Sequence, residues 1–248
     1  MPTNDSNQSS SDTEIDQQKE EFISLVAHEF RAPLTAIKGY LSMILEGDAG
    51  NISDKARGFI ADALAVNERL VRLVNNMLNV SRIEKGKLVF QMEKVNLSRI
   101  ASVALDNFRA EADRKGLKFS LEIPSRIDDL IYIDVDKINE VVANLVSNAV
   151  KYTENGFVKI KVSNPSEGVI RLEVNDSGPG ISQEEQRLLF RKFYRVESTA
   201  GKTVGSGLGL YICKLLVEKF SGKIGVESDL DKGSTFWFEL TTVKKEES

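Results

Sequence analysis

At 248 residues the chain has room for one large domain or two modest ones. A 41% hydrophobic content supplies a real core and excludes global disorder, and a net charge of −4 argues against a nucleic-acid binder. No apolar run approaches the roughly 18 residues of a membrane span, and no basic-then-apolar signal pattern opens the chain. The single cysteine, Cys213, lies among Leu210, Ile212 and Leu215, reads as a buried packing residue, and suits a reducing cytoplasm.

In chain order, residues 1–18 are polar and are expected to form a disordered lead-in. Helical periodicity follows in Ile23, Val26, Phe30, Pro33, Ile37, Tyr40 and Ile44, breaks at Gly47–Asn51, and resumes in Phe59, Ala63, Val66, Leu70, Leu73, Met77 and Val80. Two amphipathic helices joined by a short loop predict an antiparallel hairpin over 19–85, and two hairpins make a dimeric four-helix bundle that covers both seams. The texture changes near Gly86. Strands are expected at Leu88–Gln91, Leu117–Ile123, Phe157–Val162, Val169–Asn175, Lys223–Glu227 and Thr235–Leu240. Helical patterns lie between them at Leu97–Arg114, Asp136–Tyr152, Gln183–Phe190 and Leu208–Phe220. That mixture predicts an α+β layer over 96–243, one mixed sheet covered by helices on one face, with a tail at 244–248. Ser198–Ser206 is a Gly/Ser/Thr loop expected to be mobile.

His28 is the only histidine. It lies two residues from both Val26 and Phe30, so it is expected to face away from the seam. The neighbouring Glu29 can fix its tautomer and leave the far nitrogen nucleophilic, and Pro33 crowds the Glu29 carbonyl, loosening the helix there. In the second half, Asn144, Asn148 and Lys151 share a helix face: two amides suit Mg²⁺, and a cation suits phosphates. Tyr152 can lie against a base. The strand ending at Asn175 runs into Asp176-Ser177-Gly178-Pro179-Gly180-Ile181, where the carboxylate can accept a hydrogen bond from an adenine amino group and the glycines allow close backbone approach. Phe190-Arg191-Lys192-Phe193-Tyr194-Arg195 pairs aromatic anchors with cations, and Gly205-Ser206-Gly207-Leu208-Gly209 opens a helix whose free N–H groups favour phosphate. Gly201-Lys202-Thr203 imitates a P-loop but has Val196 where the first glycine belongs, and the 205/207/209 spacing is not a dinucleotide fingerprint.

Together these segments resemble a bacterial sensor histidine kinase over roughly residues 19–243. His28–Leu34 is similar to the phosphoacceptor box, Asn144–Tyr152 to the N box, Asp176–Ile181 and Gly205–Leu210 to the two glycine boxes, and Phe190–Arg195 to the aromatic box. The resemblance implies a homodimer that binds ATP with Mg²⁺, transfers phosphate to His28 with Glu29 as base, and passes it to an aspartate of a response regulator receiver domain. It assigns adenine to Asp176, Mg²⁺ to Asn148 with Asn144 close by, phosphates to Lys151, the γ-phosphate to Arg195, a lid to the loop before Gly205, and a hinge to 86–95. Related ATP hydrolases carry a glutamate where this chain has Asn144, which favours transfer to a side chain over hydrolysis. Phosphatase-competent members carry Thr or Asn where this chain has Ala32, so weak phosphatase activity is expected. No sensor domain is recognisable, so the signal is expected from missing upstream residues or a partner docked on the first helix. The reading from another class is a non-catalytic dimeric scaffold that binds nucleotide.

Overall fold

A computed structural model of the chain describes residues 5–196 and 206–243, with side chains described at 25–27, 29–196 and 206–243. It divides into two compact units, Met1–Leu88 and Val89–Ser248.

The first unit is a helical hairpin of α1 (Asp5–Glu46) and α2 (Asp54–Glu84). Helix α1 begins inside the stretch expected to be a disordered lead-in. No Gly or Pro lies between Asp5 and Arg31, and a polar composition does not itself interrupt helical hydrogen bonding. Pro33 sits within the helix. Near it, the Thr35 hydroxyl donates to the Arg31 carbonyl at 2.8 Å. The helix stops at Gly47, whose φ of +101° lets Asp48 N–H reach back to the Met43 carbonyl at 3.0 Å. Ser53 then caps α2 by accepting from the Ala56 N–H, and Gly86, at φ +64°, ends it in the same way as Gly47 ends α1.

The hairpin buries mainly a stripe beside the expected seam, together with the seam's end at Met77 and Val80. Ala27 and Leu34 pack on Val74 and Leu78, with Val71 and Met77 alongside. Much of the predicted seam faces outward: Phe30 is 54% exposed, Tyr40 68%, Phe59 65% and Val66 58%. Each helix carries an apolar arc wider than one seam, and the closed hairpin takes only one edge of it. Lys38–Glu68 at 2.8 Å and Arg31–Asn75 at 3.3 Å fasten the hairpin's margins.

The second unit runs β1 (Met92–Asn96), α3 (Leu97–Arg114), β2 (Lys118–Glu122), β3 (Leu130–Asp134), α4 (Val135–Tyr152), β4 (Phe157–Ser166), β5 (Val169–Asp176), α5 (Gln183–Gln186), α6 (Gly209–Lys219), β6 (Lys223–Asp229) and β7 (Gly233–Thr241). Five strands form a sheet in the order β2-β4-β5-β7-β6; only the β2–β4 pair is parallel. Strict alternation explains the layering. Val158, Ile160, Ile170, Leu172, Val174, Phe236 and Phe238 are buried on one face, with the apolar faces of α3, α4 and α6 over them. The other face is a polar ladder in which Arg171 lies over the Trp237 ring at 4.2 Å between Glu173 and Glu239.

Three details depart from the sequence-based expectations. Residues 88–91 are not a strand; the strand lies at Met92–Asn96 and pairs antiparallel with Leu130–Asp134, which was not among the expected strands. That ladder removes 92–95 from the expected hinge, and the units part between Leu88 and Val89. The helix expected through Phe190 ends at Gln186, because Leu188 and Arg191 N–H groups bond three residues back and tighten the chain into turns. The 198–205 part of the glycine loop and the 244–248 tail lie outside the described residues.

Gly233 shows how tightly the sheet closes on β5. Its φ is +92°, and an added Cβ would stand 1.9 Å from the Asp176 carbonyl oxygen. Gly168 has a similar φ of +73° but open space around it. Gly168→Ala should cost about 1 kcal/mol in chemical denaturation, from backbone strain alone. Gly233→Ala should cost about 2–4 kcal/mol, because strand backbone must also move.

Candidate nucleotide-binding site

Helix α4 supplies the first wall. Its start is fixed by Asp134, which accepts from Lys137 N–H at 3.0 Å and from Gln91 N–H at 2.8 Å. Ile138, Val141, Val142, Leu145, Val146, Ala149 and Val150 are buried toward the sheet, leaving Asn144, Asn148 and Lys151 half-buried on the opposite face as their spacing predicts. Lys151 Nζ lies 4.8 Å from the Tyr152 ring centre. At the helix end, Lys115 Nζ donates to the carbonyls of Val150, Lys151 and Thr153 at 2.6, 2.9 and 3.1 Å. One ammonium thus satisfies three terminal carbonyls and holds the segment carrying Lys151 and Tyr152.

Strand β5 supplies the second wall and delivers Asp176, a carboxylate only 5% exposed. Its Oδ1 accepts from Gly178 N–H at 2.8 Å. Burial pushes the Asp176 carboxyl above the usual aspartate range, and the backbone N–H groups of Gly178 and Ser234 oppose that shift. Ser177 Oγ accepts from Phe157 N–H at 2.8 Å and ties the turn to β4. A Cβ on Gly178 would meet Asp176 Oδ1 at 2.8 Å and the Tyr152 carbonyl at 3.3 Å, so the strand end and the helix end meet at this glycine. Gly180 is needed for a different reason than approach to a ring. At φ +70° its Cβ position falls 1.9 Å from the Asp229 carbonyl, so the β6–β7 turn packs directly on it. Ile181 N–H is anchored there too, donating to Ser228 Oγ at 2.9 Å.

The third wall is the approach to α6. Phe193 has φ +61° and is 50% exposed, and Tyr194 and Arg195 beside it are half-buried. Gly207, at φ +70°, packs against the Phe193 and Tyr194 carbonyls, and Gly209 lies against Asn144, whose Oδ1 would be 2.9 Å from an added Cβ. Leu208 is buried and carries no side-chain cap for α6, so the first N–H groups of that helix are not taken up by its N-cap residue. Gly205 lies outside the described residues. His28 and Glu29 belong to α1 in the other unit; the expectation that the imidazole faces away from the seam lies outside what is described, and Glu29 is exposed.

Among the described residues no group of three His, Cys, Asp or Glu stands together to hold a metal. Asn144 and Asn148 offer amide oxygens, a donor type that with water and phosphate oxygens suits Mg²⁺ and not zinc. Three residues of the site had escaped notice in the sequence: Ser234, whose N–H faces Asp176; Lys115, the clamp on α4; and Thr153, the α4 C-cap. None belongs to a motif on its own spacing.

A raised carboxyl pKa means that Asp176 gains its proton at a higher pH than a free aspartate, and a neutral carboxyl loses its full acceptor capacity. Nucleotide affinity should therefore fall on acidification with a midpoint above about 3.9, the free aspartate value. In calorimetric titrations Asp176→Asn should bind more weakly and lose that pH dependence.

Comparison with known proteins identifies both halves of the chain. Residues 18–86 match the family model for the His Kinase A (phospho-acceptor) domain, and residues 133–244 match that for the histidine kinase-, DNA gyrase B-, and HSP90-like ATPase. The chain is 34% identical over 236 residues to the sensor histidine kinase WalK of Bacillus subtilis, covering 94% of this chain and 38% of that protein. It is 34% identical over 228 residues to the sensor protein SrrB of Staphylococcus aureus, again covering 38% of the relative. The chain thus spans well under half the length of these curated relatives. Among solved structures, full-length ShkA in complex with AMPPNP superposes with a TM-score of 0.76 at 27% identity, covering 91% of this chain and 47% of that one. The catalytic domain of histidine kinase ThkA, in a nucleotide-free form, superposes at 0.54 with 29% identity, covering 62% of this chain and 97% of that one.

Proposed function

The chain belongs to the bacterial sensor histidine kinases, and from that premise we propose that it transfers the γ-phosphate of ATP to His28 and then to an aspartate of a response regulator receiver domain. The observation that carries this reading is Asp176: a buried carboxylate at a strand end, opposite the end of α4 and within a family-matched ATPase domain. Asp176 accepts a hydrogen bond from the adenine amino group, and Tyr152 flanks the ring. Gly178 and Gly180 shape the turn that holds Asp176 in place, and Ile181 closes it. Lys151 and the N–H groups at the start of α6, after Gly205, Gly207, Leu208 and Gly209, hold the phosphates. Phe193 anchors the segment from which Arg195 assists at the γ-phosphate. Asn148, with Asn144 beside it, holds Mg²⁺, which when bound neutralises phosphate charge. Glu29 orients His28 as base and keeps the imidazole nucleophilic.

Two chains form the active assembly. The outward stripe of Phe30, Ile37, Tyr40, Phe59, Val66 and Leu70 is a long apolar surface on a helical hairpin, and a second copy of the hairpin covers it as a four-helix bundle. No helix among the described residues is long and apolar enough to cross a membrane. ATP as donor and an unpaired, buried Cys213 fit a cytoplasmic reaction.

Incubation with γ-labelled ATP and Mg²⁺ tests the proposal. Acid-labile label on the wild-type chain, and none on His28→Ala, is expected. Nucleotide binding without label would instead identify a scaffold, and phosphate release that survives in His28→Ala a hydrolase. Dephosphorylation of the regulator should be weak, since the exposed Ala32 has no polar group to orient water. Ala32→Thr should raise it several-fold in a phosphate-release assay, while autophosphorylation stays within about twofold.

A further inference from the structure

The turn between the end of α4 at Tyr152 and the start of β4 at Phe157 contains Asn155-Gly156, and no other asparagine of the chain is followed by glycine. An asparagine carboxamide can close a cyclic imide with the backbone nitrogen of the next residue. Closure needs solvent at the carboxamide, no side chain shielding the nitrogen, and an N–H that is not held elsewhere. The turn meets all three conditions. Asn155 and Gly156 are exposed, glycine leaves its nitrogen open, and among the described residues neither the Gly156 N–H nor the Asn155 carboxamide has a hydrogen-bond partner. Asn144 and Asn148 do not meet them: both are half-buried in α4, and the N–H groups that follow them are bonded within the helix. The main chain of the turn, by contrast, is in use. The Asn155 carbonyl accepts from Ser177 Oγ at 3.2 Å, and the Gly156 carbonyl accepts from Lys118 N–H at 2.9 Å.

We propose that Asn155-Gly156 is a self-modifying site: the asparagine converts to isoaspartate with time, and the lengthened main chain weakens nucleotide binding. The Gly156 nitrogen gives its proton to hydroxide and attacks Asn155 Cγ. The N–Cγ bond forms, the Cγ–Nδ2 bond breaks, and the amide nitrogen takes a proton from water and leaves as ammonia. Water then opens the imide. Cleavage at Cγ gives aspartate on the original backbone. Cleavage at the Asn155 carbonyl carbon gives isoaspartate, whose main chain runs through Cβ and Cγ. Either product adds a negative charge, but only isoaspartate adds a carbon to the chain. That carbon falls between Thr153, whose carbonyl Lys115 holds, and Phe157, which opens β4. The former Asn155 carbonyl becomes a free carboxylate and moves away from Ser177, the residue after Asp176. A loosened Ser177 loosens the strand end that presents the Asp176 carboxylate, a consequence that rests on Asp176 facing the base.

The test uses the full chain, aged in warm, mildly alkaline buffer and, in parallel, in mildly acidic buffer. Peptide mapping with electron-transfer fragmentation should show NH₂ exchanged for OH at Asn155 ahead of every other asparagine, with isoaspartate among the products. Conversion should be faster in the alkaline sample, because the attacking nitrogen must lose its proton. Asn155→Gln should stay unmodified, since its longer side chain closes a larger ring far more slowly. An intact Asn155 while other asparagines convert, or aspartate without isoaspartate, overturns the imide route. Calorimetric titration with ATP in Mg²⁺ reads the consequence. The isoaspartate fraction of aged wild type should bind about threefold to tenfold more weakly than fresh chain, the worth of one hydrogen bond. Aged Asn155→Gln should bind as its fresh sample does. Isoaspartate with undiminished affinity, or an equal loss in aged Asn155→Gln, overturns the link to the site. Fresh wild type that does not bind ATP overturns the base-reading role of Asp176 and that link with it, while the mass measurement still decides the modification.

Discussion

The turn region of the second unit is built around the buried carboxylate of Asp176, one of three aspartates buried among the described residues, with Asp129 and Asp134. Taking a carboxylate out of water is costly, and the molecule offsets that cost at Asp176 only in part, with the N–H groups of Gly178 and Ser234. The residue lies at the last position of β5, and strands β4 and β7 flank it in register at Val158 and Ser234. Ser177 pins the following turn to β4, and Gly233 and Gly180 allow backbone from the β6–β7 hairpin to close against it without room for a methyl group. The end of α4 arrives from the helical layer and is held by Lys115. Sheet, hairpin and helix therefore meet around the Asp176 carboxylate.

The same economy of space governs the approach to α6. Gly207 fits under two carbonyls of the aromatic segment and Gly209 against the Asn144 amide, so the glycines serve packing. The close fit of Gly209 on the Asn144 side chain brings the amide face of α4 and the start of α6 together. In the first unit the logic is reversed: the hairpin satisfies one apolar stripe internally and presents another.

Much of this was legible in the sequence because the signals were local. Periodicity marked α3 and α4 nearly to the residue, alternation marked β5 and β7, and the order of Asn148, Asp176 and the glycines identified the family. What escaped was set by tertiary contacts. The choice between two adjacent stripes on α1 and α2 depends on how the hairpin closes, and both stripes are apolar. Strand β3 is five residues long and runs straight into a helix cap, so its short β-type run was passed over although it pairs with β1. Lys115 stands 35 residues before the Val150 carbonyl it binds, and nothing in its neighbourhood marks it.

The central claim is that the pocket built on Asp176 supplies the phosphate that His28 receives. It is tested most directly by mapping the phosphorylated residue by tandem mass spectrometry, under conditions that preserve phosphohistidine, in the wild type and in Asp176→Asn at limiting ATP. The account predicts phosphate on the His28 imidazole in the wild type, and strong depletion in Asp176→Asn although His28 itself is intact. Phosphate on another residue, or undiminished phosphorylation of His28 in Asp176→Asn, would contradict it.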